Sequence, residues 1–443
     1  MKRILISICI LAVLSVFPHA ARAQFLVVDC TGVDPFAFPN INSALFAVAG
    51  PGAFIFVEAG PCNESVFLNG ANNLTLAAPF GQTANINGNV SINNSQNVFL
   101  GGLNVTNPFG DGIDVNSSRS VVLDSCTSNG NAGTGLNAGQ SSDVAIAATG
   151  SFSNNVGDGM DIGSNSFVNV VSFAGTTEIS NNHTAGMFLS QANFQTLGGT
   201  HMANNGSAPG NGLGVAIDVR GGGKVQFGSL SFAGPNVIEN NLHGGVSLQE
   251  NAEISFFSIP PNAGNIVRNN GPFGIEAGFG SQVTLVGAQV AGHTGPGVDI
   301  YAHSQLYGTS QLAGLGSTQI QNNGTAGDPL SAGVRVDGNS EVLLRGVTVS
   351  QNNGPAILAL VNSSVDFAGN TFSGNTGVIT CDSTSTMVSD LDAAASNPAS
   401  GVRCGVAHSL GNRSLSTPAP AVPDITALKA LHSAYQKRSA ARK

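Results

Sequence analysis

Hydrophobic residues in this chain come in short alternating triplets, hydrophobic–x–hydrophobic, and many triplets follow an Asn-Asn pair and a glycine. One instance is Asn154-Asn155-Val156-Gly157-Asp158-Gly159-Met160-Asp161-Ile162, and another begins at Asn240-Asn241. The glycines ahead of the triplets fall at Gly112, Gly135, Gly159, Gly186, Gly214, Gly245, Gly274, Gly297 and Gly333. This is a unit of about 23 residues with occasional insertions, the signature of a solenoid.

Each unit holds three triplets divided by polar turns. One circuit runs Ile113-Asp114-Val115, Val121-Val122-Leu123 and Cys126-Thr127-Ser128, then turns at Asn131. Alternation puts the first and third residues of a triplet inside and the middle one outside. The fold expected is all-β: a single-stranded right-handed parallel β-helix of about 12 to 14 coils, roughly 60 Å long at ~4.8 Å per rung. Most of the 24 Phe are expected in its interior.

Asn107, Asn131, Asn155, Asn182, Asn205, Asn241, Asn270, Asn323, Asn353 and Asn375 recur at one corner. Asparagine tolerates the left-handed backbone of a sharp corner, and stacked amides bond from rung to rung. The Gly-x-Gly strings read as corners too, not as phosphate loops.

The domain reading is a signal peptide at 1–23, an N-terminal cap at 24–60, the β-helix at 61–405, a linker at 406–423 and a basic helix or tail at 424–443. The signal rests on Lys2 and Arg3 before an apolar run, with Ala21-Arg22-Ala23 as the cleavage pattern. Later segments are too short or too polar to span a bilayer. Ile41, Ala44, Leu45 and Val48 share one face of a short capping helix. Ile425, Leu428, Leu431 and Tyr435 give the tail an apolar stripe, expected to dock on the last coil. The chain is expected to be secreted, periplasmic or held at the cell surface, as a monomer.

Charged residues make up only 9%, and the formal net charge is −9. Without residues 1–23 it becomes −12, because Lys2, Arg3 and Arg22 leave with them. An acidic coil excludes nucleic acid as a partner and repels polyanionic sugars unless a metal bridges them. Cys30 is paired with Cys62 and Cys381 with Cys404, stapling the two ends, while Cys126 stays a buried thiol. No Cys/His metal spacing is present.

The chain resembles right-handed parallel β-helix proteins of the pectin-lyase-like superfamily, of the exported bacterial type. Val28-Asp29-Cys30-Thr31-Gly32, then Phe38 to Leu45, then Ile55-Phe56-Val57 are similar to the way such proteins begin. That superfamily holds lyases, hydrolases, esterases, epimerases and non-catalytic adhesins, so the resemblance implies a fold more than a reaction. Gly110-Asp111-Gly112-Ile113-Asp114 resembles the second half of the polygalacturonase motif Asn-Thr-Asp-Gly-x-Asp. The next coil, Gly133-Thr134-Gly135-Leu136-Asn137, lacks the paired aspartates that should follow.

Aligning coils by glycine gives one outward column: Asp114, Asn137, Asp161, Phe188, Asp218, Ser247, Glu276, Asp299, Arg335 and Leu358. Asp111, Asp114, Asp158 and Asp161 are the candidate catalytic acids. Equivalent members lie two rungs apart, roughly 9 to 10 Å, at the upper limit for an inverting glycosidase. Glu276, Asp299 and Arg335 are a candidate binding cluster. No cofactor is expected, although calcium is conceivable at these acids. The leading expectation is a scaffold that contacts extracellular or cell-surface polysaccharide without turnover. The alternatives are a polysaccharide lyase or hydrolase, and a self-associating adhesin. Insertions in the units at 168–182, 225–241, 254–270 and 306–323 all leave one side of the coil.

Overall fold

The computed structural model describes residues 24–389, apart from 49, 172–174, 208–213, 230–233, 259–263, 311–315 and 329. The signal peptide, the linker, the tail helix and Cys404 lie outside the described residues.

Every strand pairs in parallel with its counterpart one unit away, so the chain climbs instead of folding back. A circuit visits three sheets. The first has 13 strands, the second 15, and the third is made of a 3-stranded and an 8-stranded stretch. In one coil these are Ile113–Asn116, Val121–Asp124 and Thr127–Ser128. This is a parallel β-helix, with thirteen rungs on its first sheet as the sequence periodicity predicts. Inside, like residues stack: Phe194, Phe227 and Phe256 form a column with ring centroids 5.9 and 5.2 Å apart.

The Phe-core expectation needs correction. Only Phe152, Phe194, Phe227, Phe256, Phe257 and Phe367 are buried among the described residues, whereas Phe25, Phe36, Phe46, Phe54, Phe67, Phe80, Phe109 and Phe279 are exposed. Corner and outward positions take phenylalanine as often as the interior does, which period-two patterning does not reveal.

The Asn corner divides its work between the two residues of each pair. The first takes the left-handed backbone: Asn154, Asn181, Asn204, Asn240 and Asn269 all have φ between 52° and 60°. The second is buried and builds the ladder. Asn155 Oδ1 accepts both the Asn131 backbone N–H (3.0 Å) and Asn131 Nδ2 (2.8 Å), and Asn155 donates in the same way to Asn182. Near the end the ladder residue is Asn352, not Asn353, with Gln351 in the left-handed position. His293 replaces asparagine in one rung, its Nδ1 facing the Asn270 N–H at 3.2 Å.

This ladder also explains the glycines. Gly135 and Gly159 have ordinary negative φ. A Cβ at either would sit 2.7 Å from the Nδ2 of the neighbouring ladder asparagine, so the need is close approach. Gly214 is out of register: Ile217 pairs with Met187, which puts Ala216 in the glycine place.

A second stack, of serines, lines the corner between the first and second sheets. Ser95, Ser118 and Ser142 each donate a backbone N–H to the serine Oγ one rung on. At the entrance the helix Ile41–Ala47 closes the first coil. Asn40 caps it, and Glu64 accepts from the Ile41 and Asn42 backbone N–H groups. The Cys30–Cys62 disulfide ties this end, with Cα atoms 5.2 Å apart. Cys381 is disulfide-bonded as well.

Candidate functional site

Strand register on the first sheet reads Asp114–Asn137–Asp161–Phe188–Asp218–Ser247–Glu276–Asp299–Arg335–Leu358, one residue per rung. Each is the middle of its triplet, so the column runs along the outer face. The units lengthened at 168–182, 225–241, 254–270 and 306–323 enlarge the corner between the second and third sheets, a different face. Beside the column, two other enlargements occur at the Asn corner. The spacing from ladder residue to first-sheet glycine is four residues at Asn155–Gly159, but ten at Asn323–Gly333. From Asn205 it is eleven to Ala216, which holds the glycine place. These longer turns precede the Asp218 and Arg335 rungs.

The four aspartates at the N-terminal end divide into two kinds. Asp111 Oδ1 accepts the Thr134 backbone N–H (2.6 Å), and Asp158 Oδ1 accepts the Ala185 N–H (2.8 Å) and the Thr184 hydroxyl. Both tie their turn to the next rung, a structural task that accounts for the repetition of Gly-Asp-Gly. Asp114 and Asp161 face outward. Asn89 donates to Asp114 Oδ2 at 2.8 Å, while Asp114 Oδ1 is buried with no hydrogen-bond partner. Burial pushes the Asp161 carboxyl up to about 6, with Asp158 and Asp111 adding repulsion. Burial also raises Asp114 and Asp158, so desolvation outweighs mutual repulsion along this column.

Further along, charges are paired. Arg220 donates to Asp218 through Nε and Nη2, and its guanidinium lies 5.9 Å above the Phe188 ring. Arg335 Nε donates to Asp299 Oδ1 at 2.8 Å. Burial nevertheless raises Asp299 to about 6, although Arg335 pulls the other way. Glu276, one rung before, is raised by burial, with the nearby Tyr301 hydroxyl pulling the other way. Burial and the Glu276 charge hold the Tyr301 hydroxyl up near 12. A Cβ at Gly278 would sit 2.4 Å from the Tyr301 ring, so glycine there lets the ring fold back over the preceding rung. Phe279 meets that ring edge-on at 5.8 Å.

The register therefore brings Glu276, Asp299 and Arg335 together, and the structure adds Tyr301, Arg220 and Asn89, which sequence reasoning missed. The available signal for Tyr301 was a tyrosine one residue beyond a triplet, level with a glycine in the coil below.

No family model matches the chain, and no curated protein does. Solved structures are similar to it only at low identity. The A-module of a mannuronan C-5 epimerase from Azotobacter vinelandii is 13% identical, covers 78% of this chain and 93% of its own, and has a TM-score of 0.33. A family 28 exopolygalacturonase from Yersinia enterocolitica is 14% identical over 84% and 79%, with a TM-score of 0.28. A surface adhesin of Streptococcus pneumoniae is 11% identical over 79% and 85%, with a TM-score of 0.24.

Proposed function

We propose that the outer face of the first sheet binds an extracellular polysaccharide chain without turning it over, centred on Glu276, Asp299, Tyr301 and Arg335. The observation that carries this reading is the run Glu276–Asp299–Arg335 on three successive rungs, with Tyr301 folded against it. Sugar hydroxyls both donate and accept. Such a row offers the half-buried Glu276 carboxylate as acceptor, the Arg335 guanidinium, braced by the buried Asp299, as donor, and a phenol within one rigid strip. The exposed Phe279 ring gives the apolar face of a sugar a surface beside these polar groups. The surplus of acids favours a neutral chain over a polyanion. A disulfide at the first coil fits an oxidising, extracellular setting.

A glycan array of neutral and acidic polysaccharides, with and without calcium, followed by product analysis, tests the reading. Binding that Arg335→Met abolishes, with no product, is expected. Binding unchanged in that variant, or none at all, overturns it.

A second reading, hydrolysis, draws on Asp161. This acid has no hydrogen-bond partner among the described residues, holds its proton near pH 6, and sits two rungs from Asp114. Product that disappears in Asp161→Asn would establish turnover and displace the binding-only reading.

A further inference from the structure

The outer face of the second sheet carries a strip unlike the acidic column of the first. Register places Asn169, Gln195, Gln226, Ser255 and Thr284 on five successive rungs. All five carry amides or hydroxyls and none carries a charge. In the same five coils the first-sheet column holds Asp161, Asp218 and Glu276. Gln195, Gln226 and Ser255 line a hollow of about 400 Å³, with Phe167 and Phe257 at diagonally opposite ends. Lys224 and Glu253 on its rim neutralise each other at 3.0 Å. Asn169 Oδ1, at the head of the strip, is shielded from water with no hydrogen-bond partner among the described residues.

We propose that this strip is a second carbohydrate site, which takes a neutral sugar chain and does not rest on the first-sheet reading. Sugar hydroxyls need donors and acceptors together, and primary amides and hydroxyls supply both from each side chain. The half-buried Phe167 offers an apolar plane beside them. Lys224 is already paired, so the strip offers a polyanion no attraction. A peptide fits less well. Extended peptides take main-chain hydrogen bonds from a free strand edge. The strands Phe167–Val171, Asn193–Thr196, Lys224–Ser229 and Glu253–Ser258 are each paired on both sides, so only side chains face the hollow. Its size is ordinary for a ligand pocket, which spans ~300–1,000 Å³. The stranded Asn169 acceptor points the same way. A buried oxygen without a donor is costly, and a hydroxyl-rich ligand brings donors to that end of the strip.

The full chain, isotope-labelled at its glutamine side-chain amides, is titrated by NMR with neutral hexasaccharides of glucose, mannose and galactose. Oligogalacturonate and an uncharged Gly/Ser/Asn peptide are titrated in parallel. The amide signals of Gln195 and Gln226, assigned by their loss in single Leu variants, are expected to shift with at least one neutral sugar. Affinity for that sugar should fall about tenfold in Gln195→Leu/Gln226→Leu, with unchanged circular dichroism showing an intact coil. Gln226→Glu, which keeps the shape and adds a charge, should weaken it as well. Arg335→Met should leave these shifts in place, so failure of the first-sheet site and failure of this one read out separately. No shift with any neutral sugar, shifts with oligogalacturonate or the peptide alone, or affinity unchanged in both glutamine variants overturns the proposal. So does loss of the shifts in Arg335→Met, which would put the sugar on the first sheet.

Discussion

Arg335 Nε stands 2.8 Å from Asp299 Oδ1 on the adjoining rung, yet the Asp299 carboxyl still titrates near 6. The pair shows how much desolvation this outer face imposes, since a guanidinium in hydrogen-bond contact ordinarily lowers a carboxylate. Removing the partner by Arg335→Met is expected to raise Asp299 further. Carboxyl-resolved NMR titration measures this, and an unmoved Asp299 would mean that Arg335 does little there.

Asp161 makes a related prediction with a defined sign. Its folded pKa of about 6 lies above the ordinary 3.8, so the folded state prefers the protonated acid. The resulting stability is complete below about pH 4 and is lost as pH rises through 6. Asp161→Asn should therefore gain about 1–2 kcal/mol at pH 7.5, after allowance for partial exposure, and almost nothing at pH 4. Urea unfolding at the two pH values decides it.

His293 runs the other way. Burial lowers its pKa to about 4 from 6.5, so the folded state prefers neutral imidazole. That contribution is full above pH 6.5 and declines as pH falls through 4. His293→Asn restores an asparagine to the ladder and should remove this acid sensitivity while leaving stability at pH 8 within about 1 kcal/mol. The pH dependence of the melting temperature reads it out.

Asn155→Ala should be costly, because it strands the Asn131 backbone N–H and Nδ2 in a buried corner. A loss of about 2–4 kcal/mol is expected from two unsatisfied donors. Contacts are nearest-neighbour, so faster hydrogen exchange should be confined to the adjoining coils. Uniform loosening of all thirteen rungs would contradict a local ladder.

Cysteine chemistry gives a further check. Cys126 is buried and its thiol is pushed up to about 12, so it should resist a thiol reagent at pH 8 until the chain unfolds. Breaking the Cys30–Cys62 bridge with paired serines should cost about 2–4 kcal/mol. Reagent uptake and urea midpoints test the two statements.

The coil was legible because its triplets repeat with period two and its corners with a period near 23 residues. The outward column could be aligned from glycine spacing for the same reason. What stayed hidden depends on contacts between rungs. Nothing in Asn352-Asn353 says which amide points inward when Gln351 can take the left-handed place. Gly214 misleads as a marker because the chain before it is longer. Tyr301 becomes part of the cluster only because Gly278, 23 residues earlier, leaves its ring room. The dual use of each Asn-Asn pair was likewise invisible, since both residues suit a corner on propensity alone.

The ladder has one more consequence. From Asn131 to Asn241 each ladder asparagine passes its donors toward the C-terminal neighbour and takes those of the N-terminal one, so these coils present the same ladder contact above and below. A stretch copied from one ladder residue to the next, such as 131–154, can be spliced in at that point without orphaning a bond. In this stretch the molecule resembles a ruler, its length set by how many such links are stacked between the two ends.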